Sequence, residues 1–373
     1  MKIAVLKERR AGETRVAATP ETVKKFVGGG HSVSIEKGAG DTASIPDSAF
    51  EAAGAAMGTA ATVLKGADAI FAVRAPDDAT LAKLPKGALL VALMEPHGNT
   101  DLAKACAAAG VEALAMEFVP RITRAQAMDA LSSQSNLAGY RAVIEAAHIF
   151  GKAFPMMMTA AGTIAPAKVF VMGAGVAGLQ AIATARRLGA MVSATDVRPA
   201  AKEQVASLGA KFIAVEDEEF KAAETAGGYA KEMSAEYRAK QAELVASHIA
   251  KQDVVVTTAL IPGRPAPKLV TKAMVEAMKP GSVIIDLAAA MGGNCEVGKA
   301  DEITVHNGVS VAGFSNLPAR LASDASSLYA KNLANLLPLL VAEDGSKAPH
   351  REDEVIAAMT LTRDGEIVHE SLK

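Results

Sequence analysis

Tryptophan is absent from the 373 residues, aromatic side chains make up only 4%, and there are just two cysteines. A chain so poor in aromatics has no stacking platform for nucleic-acid bases. Lys plus Arg number 39 against 41 Asp plus Glu, a net charge of -2, so the basic surface that binders of a phosphate backbone need is missing as well. Nucleic acid is not an expected partner. Cys106 and Cys295 stand far apart, with no C-x-x-C pair and no Cys/His cluster beside either. That spacing excludes a disulfide framework and a zinc site, and no metal is expected. Long apolar runs are lacking too: residues 87–94 and 283–291 are strand-length, far below the roughly 18 to 20 residues of a membrane span. Charge returns at Lys7, too soon for the core of a secretion signal. The expectation is a soluble globular chain in a reducing, cytoplasmic setting, serving any membrane process from outside the bilayer.

What is present is the ordinary globular balance, 50% hydrophobic and 21% charged residues, which excludes disorder, collagen-like repeats and a coiled coil. At about 150 residues per domain the length predicts two domains. Apolar runs of strand length recur at 3–6, 33–35, 69–73, 88–94 and 113–116, and a second series follows at 169–172, 191–194, 212–215, 254–257, 283–285 and 309–312. Helical patterns separate them, so both series read as βαβ units with parallel sheets. Between the series, Leu137, Tyr140, Ile144 and Ala147 make one helical face, with serines before it to cap the helix. Leu321, Leu328, Leu333, Leu336 and Leu340 make another. These two helices are expected to cross between domains 1–131 plus 322–373 and 132–321. The tail predicts a hairpin around Asp364-Gly365, packed on the first domain. Residues 216–242, dense in charge with Gly227-Gly228 at the centre, predict a solvated, partly mobile loop.

The strongest motif is the strand 169–172 running into Gly173-Ala174-Gly175-Val176-Ala177-Gly178. In a Gly-x-Gly-x-x-Gly turn the first glycine permits the tight bend, the second lets a pyrophosphate approach the backbone, and the third allows close helix–strand packing. The helix N-terminus then faces the phosphates. Asp196 ends the next strand, where a carboxylate bonds the adenosine ribose hydroxyls and repels a 2′-phosphate. NAD(H) is therefore expected in preference to NADP(H), with Arg198 two residues on as the one residue that speaks for a phosphate. The fold expected is α/β, two Rossmann-like doubly wound domains with parallel sheets, only the second of which carries a nucleotide fingerprint.

The opening residues 1–17, with Thr19-Pro20-Glu21, together with this nucleotide site, resemble the family that joins alanine dehydrogenase to proton-translocating nicotinamide nucleotide transhydrogenase. Alanine dehydrogenases use a Lys, a His and an Asp near the substrate; at the aligned positions this chain has Arg74, Met94 and the acid-free run 288–293. Without an acid/base pair, amino-acid dehydrogenation lacks its proton carrier. Residues 120–140, with 160–163, 194–198, 225–233 and 257–263, instead resemble the NAD(H)-binding component of transhydrogenase. That resemblance implies that Arg121, Gln126, Asp129 and Ser132 surround the dihydronicotinamide, Arg121 and Asp129 being positioned for a buried ion pair. It also implies that Tyr229 sits on a loop closing over the nucleotide. Val176, Ala177, Val197, Ala259 and Leu260 complete the expected contacts. It further implies a Si/Re-specific enzyme component active only with partner subunits, NADP(H) bound on a partner domain, membrane-spanning partners at the bacterial inner membrane, and a homodimer. Two other readings stay open: an alanine-type dehydrogenase with Arg15, Arg74 and His97 as substrate ligands, and a non-enzymatic NADH sensor.

Overall fold

Runs of Val, Ile, Leu and Ala that are too short for a helix and apolar on both faces suit parallel strands covered on both sides. The computed structural model describes residues 1–97, 99–221, 233–261 and 263–372. The first runs form β1 (Lys2–Val5), β2 (Ser32–Glu36), β3 (Ala56–Gly58), β4 (Ala69–Arg74), β5 (Leu89–Leu93) and β6 (Glu112–Ala115). A hairpin of β7 (Met157–Thr159) and β8 (Gly162–Ile164) follows. Then come β9 (Lys168–Met172), β10 (Met191–Thr195), β11 (Lys211–Phe212), β12 (Val254–Thr257), β13 (Val283–Asp286), β14 (Ile303–His306) and β15 (Val309–Gly313). The chain closes with β16 (Thr360–Arg363) and β17 (Glu366–Ile367).

Two compact units result, Met1–Gln134 with Pro318–Lys373 and Ser135–Leu317, and the first boundary falls inside the helix Ala130–Ile149. In the first unit the sheet order is β17-β16-β6-β5-β4-β1-β2-β3, parallel throughout β1 to β6. The tail adds β16 antiparallel to β6, and Asp364 and Gly365 turn the hairpin at φ 53° and 80°, the paired positive values of a type I′ turn. In the second unit the order is β11-β10-β9-β12-β13-β15-β14, with β14 alone antiparallel. Each sheet thus reverses its winding beside its first strand, at β1/β4 and at β9/β12. Such reversals open a crevice at the carboxyl ends of the strands, where doubly wound folds bind ligands. β5 and β12 are buried along their whole length, as central strands must be.

Several local expectations change. The helix Ala130–Ile149 buries Gly139, Ala142, Val143 and Ala146 and leaves Tyr140 exposed, because a side chain at Gly139 would lie 2.0 Å from the Ala177 carbonyl oxygen. Close backbone approach, available only to glycine, turns this face inward over the larger side chains. Its first turn is capped by Asp129, which accepts from the Ser132 N–H at 2.9 Å, and not by the serines. In the helix Ala322–Leu336 Leu328 is exposed, while Ala325, Tyr329, Leu333 and Leu336 face the core. The charged segment 216–242 is not one loop: Glu218–Lys221 and Ala235–Ile249 are helices. Ser234 caps the second of these, Tyr237 is buried with its hydroxyl on the Val215 carbonyl, and Gln241 reaches Thr195. Its further apolar residues, Val245 and Ile249, lie beyond the charged window. Three sets of strands, β3, β7/β8 and β14, carry no strong apolar signal in the sequence.

Candidate functional site

The fingerprint sits at the β9/β12 reversal, and each of its glycines answers a separate requirement. Gly173 turns the chain at φ 103°, and a side chain there would meet the Thr258 hydroxyl at 2.4 Å. Gly178 lies so close under the turn that a Cβ would stand 1.8 Å from the Gly173 carbonyl oxygen. Gly175 faces open space, with nothing within 4 Å of a Cβ position. It is also the cap residue of the helix Val176–Arg187 and has no side chain to bond the first-turn N–H groups. Those donors, with the positive end of the helix dipole, are what a pyrophosphate requires, and the residues present fit one.

Asp196 ends β10 with its carboxylate buried and well partnered. It accepts the Ala174 N–H at 2.7 Å and the Arg198 N–H at 2.9 Å, and it pairs with the Arg198 guanidinium at 2.9 Å. Arg198 also donates to the Ala174 carbonyl. The acid is thereby fixed against the phosphate turn, and the arginine is partly neutralised. Val176, Val197 and Leu260, apolar side chains exposed at the ends of β9, β10 and β12, supply the flat walls that an adenine ring needs. Ala259 bonds Asn294 through both its N–H and its C=O.

The four residues read as nicotinamide contacts lie in the first unit. Arg121 and Gln126 are exposed on the segment before the helix Ala130–Ile149, and among the described residues Arg121 makes no ion pair. The expected Arg121–Asp129 pair is therefore not formed. Asp129 caps the helix and takes the Ser132 hydroxyl as well, because an acid one residue before a helix satisfies backbone donors that nothing else reaches. Tyr229 lies outside the described residues.

A family model described as alanine dehydrogenase/PNT, N-terminal domain, matches residues 4–138, and the model for the C-terminal domain matches residues 142–370. The chain belongs to the alanine dehydrogenase/PNT family. It is 56% identical to the first of the separately encoded pieces of NAD(P) transhydrogenase subunit alpha of Rhodospirillum rubrum, over 100% of this chain and 99% of that one. The crystal structure of transhydrogenase from Sinorhizobium meliloti superposes with a TM-score of 0.91 at 55% identity, covering 99% of this chain and 100% of the other. Alanine dehydrogenase of Halomonas elongata is 30% identical over 100% of this chain and 96% of its own.

Within this family the dehydrogenase alternative requires cationic side chains open to a keto acid. Arg15 does not meet that need, since it is buried and its guanidinium is spent on Glu13 at 2.6 and 2.7 Å and on Gln134 at 2.7 Å. Arg74 bridges Glu13 and Glu95. His97 is exposed, edge-on to Phe118, which stacks on His369. Burial alone would push Glu13 up, yet the hydrogen bonds and charge of Arg15 outweigh it and hold the carboxyl at about 2. Glu8 goes the other way, raised by burial to about 7 although it accepts the Val73 N–H. The cleft of 330 Å³ at the β1/β4 reversal is lined by Lys7, Glu8, Arg9, Arg10, Arg74 and Asp77, and no fingerprint turn enters it.

Sequence reasoning missed Thr258 and Asn294. Thr258 donates to the Gly173 carbonyl at 3.1 Å. A polar residue directly after the Gly292-Gly293 pair was the available signal for Asn294, since a glycine pair at positive φ brings the next residue close to a neighbouring loop.

Proposed function

We propose that this chain is the NAD(H)-binding component of a proton-translocating, Si/Re-specific transhydrogenase, active only with partner subunits that carry NADP(H) and span the membrane. The observation that carries the reading is the Gly173–Gly178 turn with Asp196 behind it, in a chain 56% identical along its full length to a transhydrogenase subunit alpha. The nucleotide belongs to the domain of residues 132–321, and the domain of 1–131 with 322–373 carries none of its own. Backbone donors at Val176 and Ala177 hold the pyrophosphate, and Asp196 takes the adenosine ribose hydroxyls and disfavours a 2′-phosphate. Arg198, Val197, Ala259 and Leu260 line the adenosine half, and Tyr229 closes over it.

Bound NADH supplies the hydride that passes to NADP⁺ on the partner. The chain's own task is orientation and exclusion of water, because a misplaced ring costs rate steeply. Arg121, Gln126, Asp129 and Ser132 orient the dihydronicotinamide, and the Asp129–Ser132 bond already holds two of them in register. No side chain has to move a proton, which is consistent with a chain that places no acid/base pair where alanine dehydrogenases need one. Among the described residues no helix is long and apolar enough to cross a membrane, so attachment at the cytoplasmic side of the inner membrane comes through partners.

The test mixes the chain with an NADP(H)-binding partner and follows hydride transfer by stopped flow. Wild type should bind NADH more tightly than NADPH and transfer hydride in a single turnover. Gln126→Asn should slow that step by on the order of a hundredfold with little change in NADH affinity. No transfer by wild type, or equal losses of rate and affinity in the variant, overturns the reading.

The homodimer belongs to the same proposal. Residues 153–167 contain no charged side chain, and Met156, Met158 and Ile164 stand exposed on or beside the β7/β8 hairpin. A lone two-stranded hairpin is marginal in water, and uncharged strand edges pair without repulsion with a second copy related by a twofold axis. Sedimentation velocity should report a dimer that Met158→Lys converts to monomer; a monomeric wild type counts against it.

A further inference from the structure

The loop after β12, residues 258–269, contains no helix or strand among its described residues, so its peptide groups need partners from elsewhere. Asn294 supplies them. Its side chain is fully buried; the amide oxygen accepts the Ala259 N–H at 3.1 Å, and the amide nitrogen donates to the Ala259 and Pro267 carbonyls at 2.8 Å each. Both amide hydrogens and the oxygen are thus used, on two loop residues eight positions apart. Its backbone carbonyl takes the Leu269 and Val270 N–H groups as well. Asn294 is itself held from behind. Gly293 bends at φ 75°, with a Cβ position only 2.9 Å from the Asp286 carboxylate, and Asp286 accepts the Cys295 and Ala288 N–H groups.

The consequence runs forward to the phosphate turn. Ala259 follows Thr258, whose hydroxyl donates to the Gly173 carbonyl and fills the space that a side chain at Gly173 would take. A buried amide therefore sets Ala259, Ala259 sets Thr258, and Thr258 braces the first glycine of the fingerprint. On the other side Ala259 sets Leu260, the exposed apolar wall. We infer that Asn294 is the positioning residue of the nucleotide site, fixing the Thr258–Leu260 strip against the Gly173 turn so that both are shaped before nucleotide arrives. This rests on the NAD(H) reading above and adds the residue that preorganises it.

Asn294→Asp is the sharpest variant, being the same shape with an oxygen facing two carbonyl oxygens where the donor was. Asn294→Ala removes all three bonds. Lys268→Ala is the control: Lys268 ties the same two loops through the Gly293 carbonyl at 2.9 Å without touching Ala259. Thr258→Val removes only the hydroxyl that braces Gly173, and it tests the relay even where a variant at the buried Asn294 fails to fold. Each full-length chain is titrated with NADH by fluorescence, and the rise in melting temperature at fixed NADH is read against the nucleotide-free chain, an increment that tracks affinity more than baseline stability. Both Asn294 variants and Thr258→Val should lose about tenfold or more in NADH affinity, as the loss of well-made buried hydrogen bonds predicts. Lys268→Ala should bind NADH as wild type does, whatever its melting temperature. Thr258→Val or Asn294→Ala binding like wild type, or Lys268→Ala losing as much as Asn294→Ala, overturns the inference. A wild type that does not bind NADH overturns the NAD(H) reading and this inference with it, which separates the two failures.

Discussion

Gly178→Ala should cost NADH binding about a hundredfold, roughly 3 kcal/mol, because the new methyl would lie 1.8 Å from the Gly173 carbonyl oxygen. No rotamer relieves a Cβ clash with backbone, so the helix Val176–Arg187 must move off β9 or the turn must open. Either response withdraws the N–H groups from the position a pyrophosphate takes, and the melting temperature of the nucleotide-free chain should fall as well. Gly175→Ala makes the matched comparison. It has ordinary backbone, φ −75°, and open space around its Cβ position, so the empty chain should keep its stability. A methyl there occupies the path of the phosphates, and NADH affinity should still fall. Isothermal titration beside thermal unfolding decides the point: wild-type affinity in Gly175→Ala would falsify the assignment of this turn to a phosphate.

Arg15→Met should destabilise the first unit by about 3 to 5 kcal/mol at pH 7, the usual cost of stranding one charge of a buried pair. Both side chains are 1% exposed, and Arg15 makes two hydrogen bonds to the Glu13 carboxylate. Glu13 is held at about 2 in the folded chain, from 4.5 when unpaired. A depressed carboxyl stabilises the fold fully above the unfolded value and loses that contribution as pH falls through the folded one. The pair therefore stabilises above about pH 4.5, and its contribution drains away between about pH 4.5 and 2. In Arg15→Met the carboxyl has lost its main counter-charge, and protonation at low pH relieves it. The gap between variant and wild type should accordingly narrow as pH falls from 7 to 3. Urea unfolding midpoints at the two values measure it, and a gap that stays constant with pH, or is under about 1 kcal/mol at pH 7, would contradict the electrostatic origin.

The linear pattern carried the parts of this protein that depend on local backbone chemistry. Apolar runs such as Val254–Thr257 and Lys168–Met172 read as strands because burial on both faces leaves no polar position to blur the period. The glycine turn and Asp196 read as a nucleotide site because three backbone requirements and one carboxylate fall within a single βαβ stretch. Asp364-Gly365 read as a hairpin because few residue pairs accept two positive φ values in succession. Strands β3 and β14 were invisible, since exposed or intermediate edge positions carry little apolar signal. The helix Ala235–Ile249 was hidden by surface charge, its buried contacts coming from Val215 and Thr195 far along the chain.

Residue order alone thus determined the two α/β halves, the turn that can hold a pyrophosphate and the acid behind it, each set by neighbours within a few positions or one crossover. Only the tertiary structure decided which side chains are spent on each other. Arg15 became a partner of Glu13 and Gln134, Asp129 a helix cap and not the mate of Arg121, and Asn294 the clamp on Ala259. The physical reason is that a buried polar group takes whichever partner the packing brings within about 3 Å, and that choice is made by chain segments distant in sequence.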